Sequence, residues 1–133
     1  MTTSDPHNVL VVDDDPDLRT TMQLSLEYYG YGVVTARDGR EALAKLRDGA
    51  SPCVILLDMM MPGMSGLQFR TEQLRDPALA AIPVIAWSGD MKLIQQASAL
   101  GAEVYVKPVD LTVLVDRVRV LCSSSHPQEE QMN

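Results

Sequence analysis

Asp13-Asp14, Asp58, Ser88 and Lys107 each follow a short apolar run: Val9–Val12, Cys53–Leu57, Val84–Trp87 and Val104–Val106. Strands made from these runs would deliver three carboxylates, a hydroxyl and an ammonium to a common rim. Carboxylates gathered in this way repel and raise one another's pKa unless a cation neutralises them. A hard divalent ion answers that need, and Mg2+ takes one or two carboxylates, a carbonyl, waters and a phosphoryl oxygen. A carboxylate beside such an ion, with a hydroxyl and an ammonium at hand, is suited to accepting a phosphoryl group. Asp58 would attack phosphorus and become an aspartyl phosphate, Lys107 would offset charge on the phosphoryl oxygens, and Ser88 would bond one of them. Gly89, next to Ser88, leaves the approach open.

Five short apolar runs alternate with segments of helical period. After Val9–Val12, a helix is predicted from Pro16 to about Tyr29, with Leu18, Met22, Leu26 and Tyr29 on one stripe and Gly30-Tyr31-Gly32 ending it. A strand at Val33–Ala36 leads to Asp38-Gly-Arg-Glu41, the spacing of a capping box, and to a helix carrying Ala42, Leu43 and Leu46. The run Cys53–Leu57 is apolar throughout, as at the centre of a parallel sheet covered on both faces. Ser65 can cap a helix from Gly66 to about Asp76, a fourth helix spans about Lys92–Leu100, and Asp110 caps a last one, Leu111–Cys122. Repeated βα units of this kind imply an α/β fold, a doubly wound five-stranded parallel sheet with helices on both faces. Such sheets bind ligands beyond the carboxyl ends of their strands, where the acids, Ser88 and Lys107 are expected.

Composition narrows the function. At 133 residues the chain has room for one ordinary domain and none for a second folded output module. A formal charge of -7 is the wrong sign for a protein that binds phosphate backbones, so direct nucleic-acid binding is not expected. The N-terminal segment has no apolar core of a signal peptide, and the longest apolar runs fall far short of a membrane helix. Cys53 and Cys122, only two and far apart, read as reduced thiols of a soluble, cytoplasmic protein. Residues 1–7 are expected to be a flexible N-terminus, 8–122 the folded domain and 123–133 a polar, disordered tail.

The sequences Val11-Val-Asp-Asp-Asp-Pro16, Leu56-Leu-Asp-Met-Met-Met-Pro-Gly-Met-Ser-Gly66, Ser88-Gly89 and Val106-Lys-Pro108 together resemble the receiver domain of bacterial two-component response regulators, over essentially the whole chain to Cys122. The resemblance is to the stand-alone type and implies a flavodoxin-like sheet of strand order 2-1-3-4-5. It implies phosphorylation of Asp58 by a sensor histidine kinase or phosphotransfer protein. Mg2+ would be bound by Asp14, Asp58 and the Met60 carbonyl, with Asp13 on a metal-bound water. It also implies that Ser88 and Lys107 grip the phosphoryl group, that Lys107-Pro108 is a cis peptide, and that Asp17, Leu18 and Thr21 set kinase specificity. Such a protein is not an enzyme beyond its own phosphorylation and dephosphorylation.

This chain departs from the family pattern in two places. The stretch from Ser88 to Lys107 is a few residues short, and Val104 stands where the family places a switch aromatic, with Tyr105 one position later. Strand alternation puts Tyr105 on the opposite face. Output to a downstream protein or a second copy is expected through Ser88, Tyr105 and a side face of the last helix formed by Val113, Arg117 and Val120. Asp15 reads as a helix N-cap, and Met59–Met61 as filler of irregular gaps. Two other functions fit parts of the pattern. A Mg2+-dependent phosphohydrolase with an aspartate nucleophile would need a second aspartate two residues on, where Met60 stands. A degenerate receiver could act as a constitutive scaffold.

Overall fold

The computed structural model describes residues 7–124, with side chains as far as Ser123. Its elements are β1 (Asn8–Val12), α1 (Pro16–Tyr28), β2 (Gly32–Ala36), α2 (Gly39–Arg47), β3 (Val54–Asp58), α3 (Gly66–Arg75), β4 (Val84–Ser88), α4 (Met91–Ala99), β5 (Glu103–Val106) and α5 (Leu111–Ser124). The strands form one parallel sheet in the order β2-β1-β3-β4-β5, as the sequence resemblance implied. Helix α5 runs to Ser124, two residues past its expected end, so it takes in the first residues assigned to the tail. The expectations for residues 1–6 and 125–133 otherwise lie outside the described residues. No helix among the described residues is long and apolar enough to cross a membrane.

Strand alternation divides the core into two layers. Leu10, Val12, Ile55, Leu57, Val84 and Ala86 face α2, α3 and α4, where Leu43, Phe69 and Ala97 meet them. Val9, Val11, Val54, Leu56, Ile85 and Trp87 face α1 and α5, against Met22, Leu26, Leu114 and Val118. Each such side chain, fully withdrawn from water, contributes about 1.5–3 kcal/mol before the entropy of ordering it is counted. Val104 packs with the first layer and Tyr105 with the second, so the reversal of faces read from the sequence holds.

The helix starts are capped by the residues that the sequence marks. Asp15 accepts from the amides of Asp17 and Leu18, and Ser65 and Gln68 form a reciprocal capping box. Asp38 accepts from Glu41 N, but Glu41 reaches one residue further back than a capping box requires and accepts from Arg37 N at 2.7 Å. Gly66 is required at the start of α3, because a Cβ there would lie 2.7 Å from Met59 Cα and 2.9 Å from the Asp58 carbonyl. At the far end of α4, the Leu100 carbonyl accepts from Nε of the buried Arg70 at 3.1 Å.

The structure corrects the reading of the cysteines. Cys53 and Cys122 are not separate thiols but a disulfide, with their Cα atoms 5.1 Å apart across a sequence separation of 69. Cys53 immediately precedes β3, and α5 runs back along the sheet until its last turn reaches that same end. Sequence separation carries no information about that approach.

Candidate functional site

The rim is built by register. Val12 pairs with Leu57, Asp58 with Trp87, and Ser88 with Val106, which brings Asp13, Asp58, Ser88 and Lys107 to neighbouring strand ends. Backbone bonds continue the ladder past the strands: Asp13 N donates to Ala36 O at 3.0 Å, Met59 N to Trp87 O at 3.0 Å and Lys107 N to Ser88 O at 2.9 Å. The side chains are therefore held by a rigid sheet edge although several lie in loops.

Asp58 is 3% exposed, Asp13 is 1% exposed and Ser88 is fully buried, whereas Asp14 stands in solvent. One oxygen from each of Asp13, Asp14 and Asp58 falls within 4.8 Å of the others. Asp58 Oδ1 accepts from Met60 N at 3.0 Å and lies 3.4 Å from Lys107 Nζ. Asp13 Oδ1 accepts from Asp15 N at 2.9 Å, while its buried Oδ2 has no hydrogen-bond partner among the described residues. Ser88 Oγ accepts from Asp90 N at 3.0 Å. Lys107-Pro108 is cis. A Cβ on Gly89 would meet nothing within 4 Å, so the space beside Ser88 is open.

Burial raises the pKa of both inner acids. Asp13 is pushed up to about 6, chiefly by loss of solvent, with the Asp15 amide opposing the shift and the charge of Asp58 adding to it. Asp58 is also raised, chiefly by burial, against the pull of the Met60 amide and Lys107. A buried carboxylate oxygen with no donor among the described residues, beside two further carboxylates, is a position that a cation could satisfy. Hard oxygen ligands of that number and charge fit Mg2+.

The other residues singled out in the sequence fall into two groups. Asp17, Leu18 and Thr21 lie on α1, and a groove of about 490 Å³ lined by Leu18, Thr21, Trp87, Lys107, Pro108 and Leu111 runs between that helix and the β5–α5 loop. On the other flank, Arg117 donates to both oxygens of Glu103, at 2.6 and 2.8 Å, and Tyr105 Oη donates to the same carboxylate at 2.6 Å. Arg117 holds the Glu103 carboxyl below the usual range. Val113 and Val120 are exposed. Met59 and Met61 are buried gap fillers, but Met60 is 54% exposed.

Glu103 and Arg19 were not singled out in the sequence. Glu103 shares a strand face with Tyr105 two residues on, a period-2 signal that was available. Arg19 donates from Nη1 to the Asp13 carbonyl at 2.8 Å, fixing the acid-bearing loop from six residues away, and no periodicity announces that contact.

The family whose model matches residues 9–119 is the response regulator receiver domain. Transcriptional regulatory protein TrcR of Mycobacterium tuberculosis is 36% identical over 125 residues, which is 91% of this chain and 48% of TrcR. Response regulator MprA of Mycolicibacterium vanbaalenii is 35% identical over 93% of this chain and 54% of its own. The chain thus spans about half the length of these curated relatives. Chemotaxis response regulator CheY4 of Vibrio cholerae superposes with a TM-score of 0.77 at 32% identity, covering 86% of this chain and 97% of CheY4. The receiver domain of a signal transduction histidine kinase from Syntrophus aciditrophicus gives 0.80 at 30% identity, covering 89% and 91%.

The raised pKa of Asp13 generates a stability prediction with a definite sign. Between about pH 4 and the folded value of about 6 the unfolded chain loses this proton first, so metal-free stability falls as pH rises through that window. Above it, Asp13→Asn is expected to stabilise the metal-free protein by on the order of 2 kcal/mol. Below pH 4 the two should converge. Urea denaturation of both proteins across this range, with and without Mg2+, checks it; Mg2+ should stabilise the wild type more than the variant.

Proposed function

Because the chain belongs to the response regulator receiver family, we propose that Asp58 is its phosphoacceptor and that it receives a phosphoryl group from the phosphohistidine of a sensor kinase or phosphotransfer protein. The observation that carries this reading is the placement of a buried carboxylate between Lys107, Ser88 and two further acids at one sheet edge. A free oxygen of Asp58 attacks phosphorus as the bond from phosphorus to the donor imidazole nitrogen breaks; the donor ring, protonated on its other nitrogen, leaves as a neutral histidine, and Asp58 becomes an aspartyl phosphate. Lys107, already 3.4 Å from Asp58 Oδ1, moves its charge onto a phosphoryl oxygen. Ser88 donates its hydroxyl proton to another. Asp13, Asp14, Asp58 and the Met60 carbonyl are the groups that would hold Mg2+, which when bound supplies positive charge against the phosphoryl oxygens.

The chain catalyses only its own phosphorylation and dephosphorylation. It belongs to a family of signalling modules, and Met60 stands where a phosphohydrolase would need its general acid. The receiver unit takes in residues 8–122 with the last two residues of α5, to Ser124, added to it, and the protein works in the cytoplasm, where phosphorylated donors are made. The donor docks in the groove between α1 and the β5–α5 loop, where Leu18 and Thr21 line the wall and Asp17 stands exposed at the start of the helix. Output runs from Ser88 towards the face of α4, β5 and α5, including Tyr105, Val113, Arg117 and Val120, which a downstream protein or a second copy reads. Phosphorylation biases an existing equilibrium, so its effect on affinity is bounded by the partner's own preference between the two states. Couplings of about 1–3 kcal/mol are typical. With a net charge of -7, the domain itself does not contact DNA.

Intact-mass analysis with acetyl phosphate should show one phosphate added to the wild type in the presence of Mg2+, none without it, and none on Asp58→Asn; equal labelling of both proteins would place the acceptor elsewhere. Exchanging Asp17, Leu18 and Thr21 for the residues of another receiver should change kinase preference in a phosphotransfer assay while acetyl phosphate labelling persists. An unchanged preference would remove α1 from the docking surface. The pair Val113→Asp and Val120→Asp should abolish the beryllofluoride-dependent gain in partner capture or self-association. If that gain survives, the output face lies elsewhere.

A further inference from the structure

The Cys53–Cys122 disulfide lies at the opposite end of β3 from Asp58, about 16 Å away for a strand of this length. It plays no part in the phosphoacceptor site and closes a loop containing most of the domain. The bond joins the residue before β3 to the last turn of α5, two segments that also meet in the apolar layer beneath α1 and α5. Midway along α5 the Arg117–Glu103 pair ties the helix to β5, so the disulfide is a second, covalent tie further along the same helix.

The surroundings of the bond suit a dithiol chemically. Cys53 and Cys122 are 6% and 1% exposed and belong to the apolar layer shared by α1 and α5, where a reduced cysteine packs as a small hydrophobe. The Asn8 carbonyl oxygen lies 3.2 Å from Cys53 Sγ, so a Cys53 thiol has an acceptor already in place. A Cys53 thiol would share the Asn8 carbonyl with the Cys53 amide, which donates to it at 2.8 Å.

We propose that Cys53 and Cys122 form a reversible redox site, opened and closed by thiol–disulfide exchange with low-molecular-weight thiols and disulfides, which sets how firmly the last turn of α5 is held to the sheet. In opening, the thiolate of a small thiol attacks Sγ of Cys53, the more exposed of the two residues. The Cys53–Cys122 bond breaks, Cys122 leaves as a thiolate and takes a proton, and a mixed disulfide remains on Cys53. A second small thiol attacks the small-molecule sulfur and releases Cys53 as its thiol. The net change is one protein disulfide and two thiols to one protein dithiol and one small disulfide; closing is the reverse. Because the sulfurs are nearly buried, exchange proceeds through local opening of the last turn of α5. The proposal does not rest on the phosphoacceptor reading, since neither cysteine approaches Asp58.

The test equilibrates the full chain in buffers of stepped reduced-to-oxidised glutathione ratio, traps thiols by acid and alkylation under denaturing conditions, and counts alkyl groups by mass. The expected result is a two-thiol transition within the glutathione range, traversed in both directions by folded protein. Hydrogen exchange should show a loss of protection confined to the last turn of α5 on reduction, with Tm falling by roughly 10 °C or more. Cys53→Ala with Cys122→Ala should match the reduced wild type in every buffer. Acetyl phosphate labelling of Asp58, run in parallel, should occur in both redox states, and its failure would bear on the acceptor reading alone. The proposal is overturned if both thiols remain alkylatable in excess oxidised glutathione, if the bond resists excess reduced glutathione until the chain is unfolded, or if protection of α5 is the same in both states.

Discussion

Burying Asp13 and Asp58 side by side costs free energy, because neither carboxylate recovers inside the protein all the hydrogen bonds it makes with water, and each charge raises the cost of the other. Much of the fold around them offsets that cost. The Met60 and Asp15 amides donate to the two acids, Lys107 brings a positive charge to one side, and Arg19 fixes the loop carrying Asp13. What remains unsatisfied among the described residues is one oxygen of Asp13, at a cluster whose ligand set fits a hard cation.

The same constraint explains why the surrounding backbone is so tightly specified. Acids set by sheet register cannot drift apart to relieve repulsion without breaking the ladder, and the ladder extends past the strands through the amides of Asp13, Met59 and Lys107. Gly66 admits no Cβ because α3 starts directly against the backbone of Asp58 and Met59. Two buried apolar layers hold this sheet from either side, and the apolar residues on both faces of β1, β3 and β4, at Val9–Val12, Val54–Leu57 and Val84–Trp87, are what allow both layers to form.

Away from the site, the structure distributes its polar anchors unevenly. Arg70 holds the end of α4 from a buried position, while Glu103 gathers Tyr105 and Arg117 at the edge of β5. Tyr105 is therefore tethered on the α1 and α5 side of the sheet, and the small Val104 occupies the side facing α4. A rotating aromatic between Ser88 and α4 has no counterpart in this chain's fifth strand. Ser88 is instead linked to α4 directly, since its Oγ accepts from Asp90 N and Asp90 caps that helix.

The elements and the gathering of the candidate site residues at one rim were legible because they depend on local rules. Apolar runs of four or five residues, caps such as Asp15, Ser65 and Asp110, and acids following Val12 and Leu57 are read from adjacent positions, and parallel winding then gathers their ends. The reversal of Val104 and Tyr105 was legible for the same reason, since strand alternation has a fixed period. Tertiary structure alone decided the contacts that join distant segments without any period: the Cys53–Cys122 bond across 69 residues, the reach of Arg19 to the Asp13 carbonyl, and the closure of Arg117 onto Glu103. It also decided which carboxylate oxygen was left without a donor, because that depends on where every neighbouring amide points once the loops are closed. Local sequence sets what each segment can be, whereas pairings between segments follow from packing the whole chain at once.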